Sequence, residues 1–79
     1  MDSKLTFEYD RIGDIFYINK CTPYPEQEST EIDYGVVARF NPETNEIENL
    51  EVMFFSKRLS EKNWFELPIN ADFSLVELS

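Results

Sequence analysis

The sequence predicts an α+β domain: a four-stranded antiparallel meander, five-stranded if the tail adds a strand, with one short C-terminal helix. Three observations predict it. Apolar residues recur at every second position in four separate runs. Turn-forming residues, Asp10 to Gly13 and Asn41 to Glu46, separate two pairs of those runs. After Ser56, the stretch Lys57 to Leu67 holds neither Gly nor Pro until Pro68 stops it.

The first strand is Lys4 to Tyr9, where Leu5, Phe7 and Tyr9 share one face and Lys4, Thr6 and Glu8 the other. Asp10-Arg11-Ile12-Gly13 reads as a tight hairpin turn: Asp suits the first position, and Gly at the fourth tolerates positive φ. The second strand, Asp14 to Asn19, is rich in β-branched and aromatic residues. Phe16 and Ile18 point one way, Ile15 and Tyr17 the other, so both faces are apolar. Lys20 to Thr30 reads as a loop, with Pro23 and Pro25 bracketing Tyr24.

The third strand is Glu31 to Phe40. Ile32, Tyr34, Val36, Ala38 and Phe40 form one face, and Asp33, Gly35, Val37 and Arg39 the other. Gly35 marks a bulge or a close approach of backbone. The fourth strand, Ile47 to Phe55, places Leu50, Val52 and Phe54 on one face. Ile47, Asn49, Glu51, Met53 and Phe55 occupy the other. The unbroken run Val52-Met53-Phe54-Phe55 is therefore alternation with both faces filled. Ser56 is the expected helix cap, with a start at Ser60 as the alternative, since Glu61 then sits in the first turn. The tail holds Ile69, Phe73, Leu75, Val76 and Leu78 and reads as a fifth strand, a short helix, or a segment that orders on a partner.

Length and charge narrow the function. Seventy-nine residues make one domain, near the lower limit for a lone core, and seven Phe, four Tyr and one Trp supply large apolar areas to it. Sixteen acids against seven bases give a net charge of −9. That surface repels nucleic-acid backbones and anionic membranes; it suits a basic protein partner, or serves solubility alone. Cys21 is the single cysteine, so neither an intrachain disulfide nor a Cys-rich zinc site forms within one chain. With no His, the usual general base and the commonest zinc ligand are both missing. No apolar run reaches spanning length and no signal peptide follows Met1-Asp2-Ser3-Lys4, so a cytoplasmic location is expected.

Several pieces, in order, resemble a known family. Tyr9-Asp10, Asp14, Tyr17-Ile18, Glu31 to Val37, and Ile47 to Leu59 closing on Ser56-Lys57-Arg58-Leu59 are similar to a small bacterial domain of unknown function, family 2283. The resemblance covers residues 4 to 59; residues 60 to 79 form a helix and tail extension. The chain departs from the pattern in carrying Asn41 and Asn45 where the family turn has Asp and Gly, and Asn49 near a usual Gly. The resemblance implies a compact sheet with a short helix and transfers no catalytic residues. Members are often encoded beside small toxin-like proteins, which implies, by association, an antidote-like or interaction role.

Four acids near the motif, Asp10, Asp14, Glu31 and Asp33, would gather at one end of the sheet if the first three strands are neighbours. Mg²⁺ or Ca²⁺ uses such oxygens, and paired carboxylates do acid/base work. The simpler reading is favoured: Asp10 closes its turn, while Asp14 and Asp33 bond local amides. No metal, cofactor or catalytic residue is assigned. Cys21 lacks a base, since adjacent Lys20 is not sufficient, and reads as a strand-end thiol. Lys57, Arg58 and Lys62 make a small basic spot, read first as helix solvation and second as a contact for a partner's carboxylates. Trp64-Phe65 is the expected docking pair of the helix; left exposed, the aromatics become an interaction hot spot.

Energetics then point to a partner. Burying one large apolar side chain is worth about 1.5–3 kcal/mol, and one short helix covers only one face of a sheet. The second face, with Ile15, Tyr17, Val37, Ile47, Met53 and Phe55, needs another cover. The expected function is a non-enzymatic protein–protein interaction module, a homodimer, with an antitoxin-like role as one form of it. The expected interface is Tyr17, Val37, Met53, Phe55 and Trp64. The alternatives are a small metal-dependent or carboxylate acid/base enzyme, and a self-contained domain in which Ile69 to Leu78 closes the open face.

Overall fold

Two hairpin units meet on a shared central strand. The structure, a computed structural model, describes residues 4–77. Its strands are β1 (Thr6–Asp10), β2 (Ile15–Asn19), β3 (Glu28–Asp33), β4 (Val36–Phe40) and β5 (Ile47–Met53), followed by helix α1 (Phe55–Lys62). They form one antiparallel sheet in the order β1-β2-β5-β4-β3. After β2 the chain crosses to the far edge and returns through β3 and β4, so β5 closes the sheet by pairing with both β2 and β4. Among the described residues no helix is long and apolar enough to cross a membrane.

The antiparallel α+β architecture stands as expected, but the fifth strand arises differently. The expected third strand splits at Tyr34-Gly35, where Gly35 takes φ 67°, and its first half starts at Glu28 rather than Glu31. Gly35 takes this left-handed geometry at little steric cost, so the chain reverses where the alternation alone reads straight through. The tail adds no strand among the described residues, and Leu78 lies outside them. At the first hairpin the positive φ falls on Asp14, at 56°, and not on Gly13.

β5 holds the second departure. Arg39 pairs with Asn49 but Phe40 pairs with Ile47, so Glu48 is an extra residue in a bulge. The bulge turns Ile47 onto the same face as Phe40, where it packs on the core. β5 then ends at Met53. Phe54 adopts a left-handed conformation, φ 56° and ψ 39°, and Phe55 opens the helix. The expected second face therefore loses two members, Ile47 and Phe55, because the backbone reverses or shifts before each of them.

The core is Val36, Ala38, Leu50 and Val52, all buried, with Phe16, Ile18, Ile32, Phe40 and Ile47 around it. Val52 lies between Phe16 and Val36, and Leu50 between Ile18 and Ala38, so two cross-sheet rows fill the centre. Above them pack Phe65, Leu67 and Ile69. These three alternate with exposed Glu66, Pro68 and Asn70, a period of two. That segment is thus extended, and α1 stops at Lys62 instead of Leu67. Asn63 ends it by taking φ 65° and donating its N–H to the Leu59 carbonyl at 3.0 Å.

Candidate functional site

Two polar clusters and two apolar surfaces surround this core. The first cluster ties the β1–β2 turn to the start of α1. Phe55 N–H donates to the Asp14 carbonyl at 3.1 Å, and Ser56 N–H and Oγ donate to the Asp14 carboxylate at 3.0 and 2.9 Å. Tyr9 O–H donates to the same carboxylate at 2.6 Å. Asp14 therefore caps the helix from across the sheet, where a negative charge is also favoured by the helix dipole. Ser56 is not the cap; it is a helical residue that donates to one.

These bonds hold the Asp14 carboxyl below the usual carboxylate range, with the Tyr9 bond the largest cause and the Ser56 amide next. The same bond to Asp14 raises Tyr9 above an ordinary tyrosine. A carboxylate so stabilised is a weaker base than an ordinary one. Arg58 completes the cluster: Nε donates to the Met53 carbonyl and Nη2 to the Tyr34 carbonyl, each at 2.6 Å. Gly35 lies beneath it, where a Cβ would stand 2.7 Å from Arg58 Nη2 and 3.1 Å from the Phe54 ring. Tyr34 is 76 % exposed and stacks on Phe54 at 5.7 Å, so neither joins the expected apolar face.

The four acids singled out from the sequence go to separate tasks. Asp10 Oδ1 accepts from Ile12 and Gly13 N–H, closing its turn. Asp14 caps α1. Glu31 accepts from Gly35 N–H at 3.0 Å and Asp33 from Tyr34 N–H at 2.8 Å, around the β3–β4 turn. Among the described residues no three Cys, Asp or Glu side chains converge as a metal-ligand set.

The second cluster was not foreseen. The bulge aims Glu48 at Tyr24 O–H (2.7 Å), Gln27 Nε2 (3.0 Å) and Asn41 Nδ2 (3.1 Å), all of which donate to it. Gln27 Nε2 also donates to Asn49 Oδ1 at 2.7 Å, and Asn49 Nδ2 donates to Asn19 Oδ1 and the Cys21 carbonyl. Gln27 and Asn49 are buried, and no buried side-chain N or O among the described residues lacks a partner. A fully paired polar network of this kind pins the long β2–β3 loop to the sheet. The donors, Tyr24 first, hold Glu48 below the ordinary glutamate range, and Tyr24 is pushed up to about 12. Burial raises the Cys21 thiol, so the thiolate that would react is disfavoured. One sequence signal for this cluster exists: Ile47 and Leu50 are three apart where alternation requires two. Gln27 had none: its side chain's one local bond is accepted from Tyr24 N–H at 3.2 Å, and its partners Glu48 and Asn49 lie 21 and 22 residues away.

Both clusters are internally satisfied, which leaves the apolar surfaces as candidates. On the second face Ile15, Tyr17, Val37 and Met53 are half-buried around the Arg39–Glu51 ion pair, 2.9 Å long. Burial is the main cause that raises Tyr17 above an ordinary tyrosine, with the Glu51 charge next. Phe55, expected beside them, lies on the other face between Phe16 at 4.5 Å and Phe65 at 5.7 Å. The Trp64-Phe65 pair divides: Phe65 docks, while Trp64 is 53 % exposed with Lys62 Nζ 5.2 Å from its ring centre. The other apolar surface, Leu5, Phe7 and Tyr9, lies on the helix side at the β1 edge, and all three are exposed.

The family model for a protein of unknown function (DUF2283) matches residues 6–56. No curated protein and no solved structure matches the chain. The matched span begins at β1 and ends at Ser56, so it contains the whole sheet and the residues that hang α1 from Asp14. The chain belongs to the DUF2283 family.

Proposed function

We propose that this protein is a non-enzymatic protein–protein interaction module that works as a homodimer. One observation carries the reading: α1 and the extended Phe65 to Ile69 segment both lie on one face, and they leave apolar side chains uncovered. Tyr17, Val37 and Met53 stay half-buried on the opposite face, Trp64 stands out beside the helix, and Leu5, Phe7 and Tyr9 are exposed at the β1 edge. In a small domain with about 5–15 kcal/mol of stability, such surface is a contact site more readily than an ornament. The polar clusters support the reading from the other side. Their acids and hydroxyls are occupied in holding turns, the bulge and the helix start, so none is poised to act on a substrate.

The net charge of −9 suits an antitoxin-like form of this role, in which the dimer presents an acidic surface to a basic partner. Light scattering on the full chain at micromolar concentration tests the reading. The expected mass is twice that of one chain; a folded monomer at every concentration would overturn it.

A further inference from the structure

The sheet has two free edges, β1 and β3, and they are not alike. β3 carries Glu28, Glu31 and Asp33 and shifts register between the last two. Charges and irregularities are how natural sheets keep an edge from pairing. β1 runs in unbroken register with β2 from Thr6 to Asp10, and Lys4 precedes it.

β1 also carries the open end of an aromatic row. Phe65 meets Phe55 edge-on at 5.7 Å, Phe55 stacks on Phe16 at 4.5 Å, and Phe16 stacks on Phe7 at 5.9 Å. The row starts in the packed interior and stops at Phe7, which is 58 % exposed. Resting on the interaction reading above, we propose that a second copy of this chain adds to β1, antiparallel, about a two-fold axis through Phe7. The two five-stranded sheets become one, and the two aromatic rows meet.

Chemistry selects this register. Pairing must set odd residues against odd and even against even, so that apolar faces stay together and outward backbone groups meet. A pairing centred on Glu8 sets two carboxylates directly opposite, which is unfavourable. The pairing centred on Phe7 sets it against the partner's Phe7, Leu5 against the partner's Tyr9, and Lys4 against the partner's Asp10. Every apolar side chain then faces another, and the two-fold axis makes the Lys–Asp pair twice. The turn is undisturbed, because both of its bonds to Asp10 fall on Oδ1 and leave Oδ2 for the lysine.

Cysteine cross-linking in a Cys21→Ser background tests the register, with light scattering and circular dichroism on each variant. Directly opposed residues have Cα atoms about 4.5–5.5 Å apart, within disulfide range, whereas diagonal ones lie about 7–8 Å apart. Phe7→Cys is expected to cross-link far faster than Glu8→Cys. Lys4→Glu is expected to weaken the dimer roughly threefold to tenfold, since it breaks the pair twice. Hydrogen exchange on the wild-type chain needs no variant: outward β1 amides should be protected in the dimer and lose protection on dilution. A dimer that persists with fast Glu8→Cys cross-linking, or with unprotected β1 amides, overturns this pairing and leaves the interaction reading standing. A wild-type monomer overturns both. Open-ended polymers, the product of β1 pairing with the partner's β3, also overturn it.

Discussion

Replacing Gly35 by Ala should cost more than the same replacement at Gly13, the chain's other glycine. Gly35 has φ 67°, and a left-handed conformation costs an L-residue about 1–2 kcal/mol. The new Cβ would also stand 2.7 Å from Arg58 Nη2, so the guanidinium must withdraw from the Tyr34 carbonyl. That bond is charge-assisted but exposed, so we assign it only about 0.5–1 kcal/mol, below the usual value for a charged donor. The sum is about 1.5–3 kcal/mol, read by urea denaturation as a lower midpoint at unchanged slope. For a chain this size, each kcal/mol lowers Tm by roughly 4–8 °C. An Arg58→Ala background isolates the two parts: there Gly35→Ala should cost only the backbone share, about 1–2 kcal/mol. Gly13→Ala is the comparison, because Gly13 does not need a positive φ and its Cβ would meet side-chain atoms only, Asp10 Oδ2 at 2.9 Å and Ile15 Cδ1 at 3.3 Å. A Gly35→Ala chain within about 0.5 kcal/mol of its parent would refute the reasoning.

Leu50→Ala empties the middle of a cross-sheet row, and denaturation should show a loss of about 2–5 kcal/mol. Asp14→Ala removes the acceptor for Ser56 and Tyr9 and forces Ala into a positive φ; Asp14→Asn, which tolerates that backbone, should melt at a higher temperature than Asp14→Ala. Tyr24 titrates at 10.0 when unfolded and about 12 when folded, so its share of stability is whole below pH 10.0 and is lost as pH rises through about 12. Tyr24→Phe should flatten that alkaline decline in a plot of Tm against pH. Glu48 is shifted the other way: its share is present above the unfolded value of 4.5 and lost as pH falls through the lower folded value. Glu48→Gln should flatten the acid limb and leave the alkaline limb's Tyr24 share smaller, since one hydrogen bond underlies both shifts.

Where backbone geometry is regular, alternation revealed the strands and their faces: β1, β2 and the Leu50–Val52 rows lie as the pattern predicts. Alternation misleads wherever one residue breaks the period. Gly35 reverses the chain inside an uninterrupted apolar pattern, and the Glu48 bulge turns Ile47 over. Phe54 ends β5 with a left-handed backbone that propensity disfavours for a bulky aromatic, and so carries Phe55 to the covered face. Phe65 to Leu67, expected as the end of the helix, are extended, because a Gly- and Pro-free stretch masks the period of two that runs on to Ile69. Asp10's turn bonds were legible because they are local. Asp14's grip on Ser56, 42 residues away, was not, and neither was the Glu48 network.

The order of strands also shapes how the chain comes into being. The middle strand is the last one translated, and in the sheet the ribbon made of β1 and β2 is hydrogen-bonded to the ribbon made of β3 and β4 only through it. Isolated two-stranded ribbons are marginal in water. A chain that stops short of β5 therefore lacks both the strand that joins the ribbons and two of the four buried core residues, Leu50 and Val52.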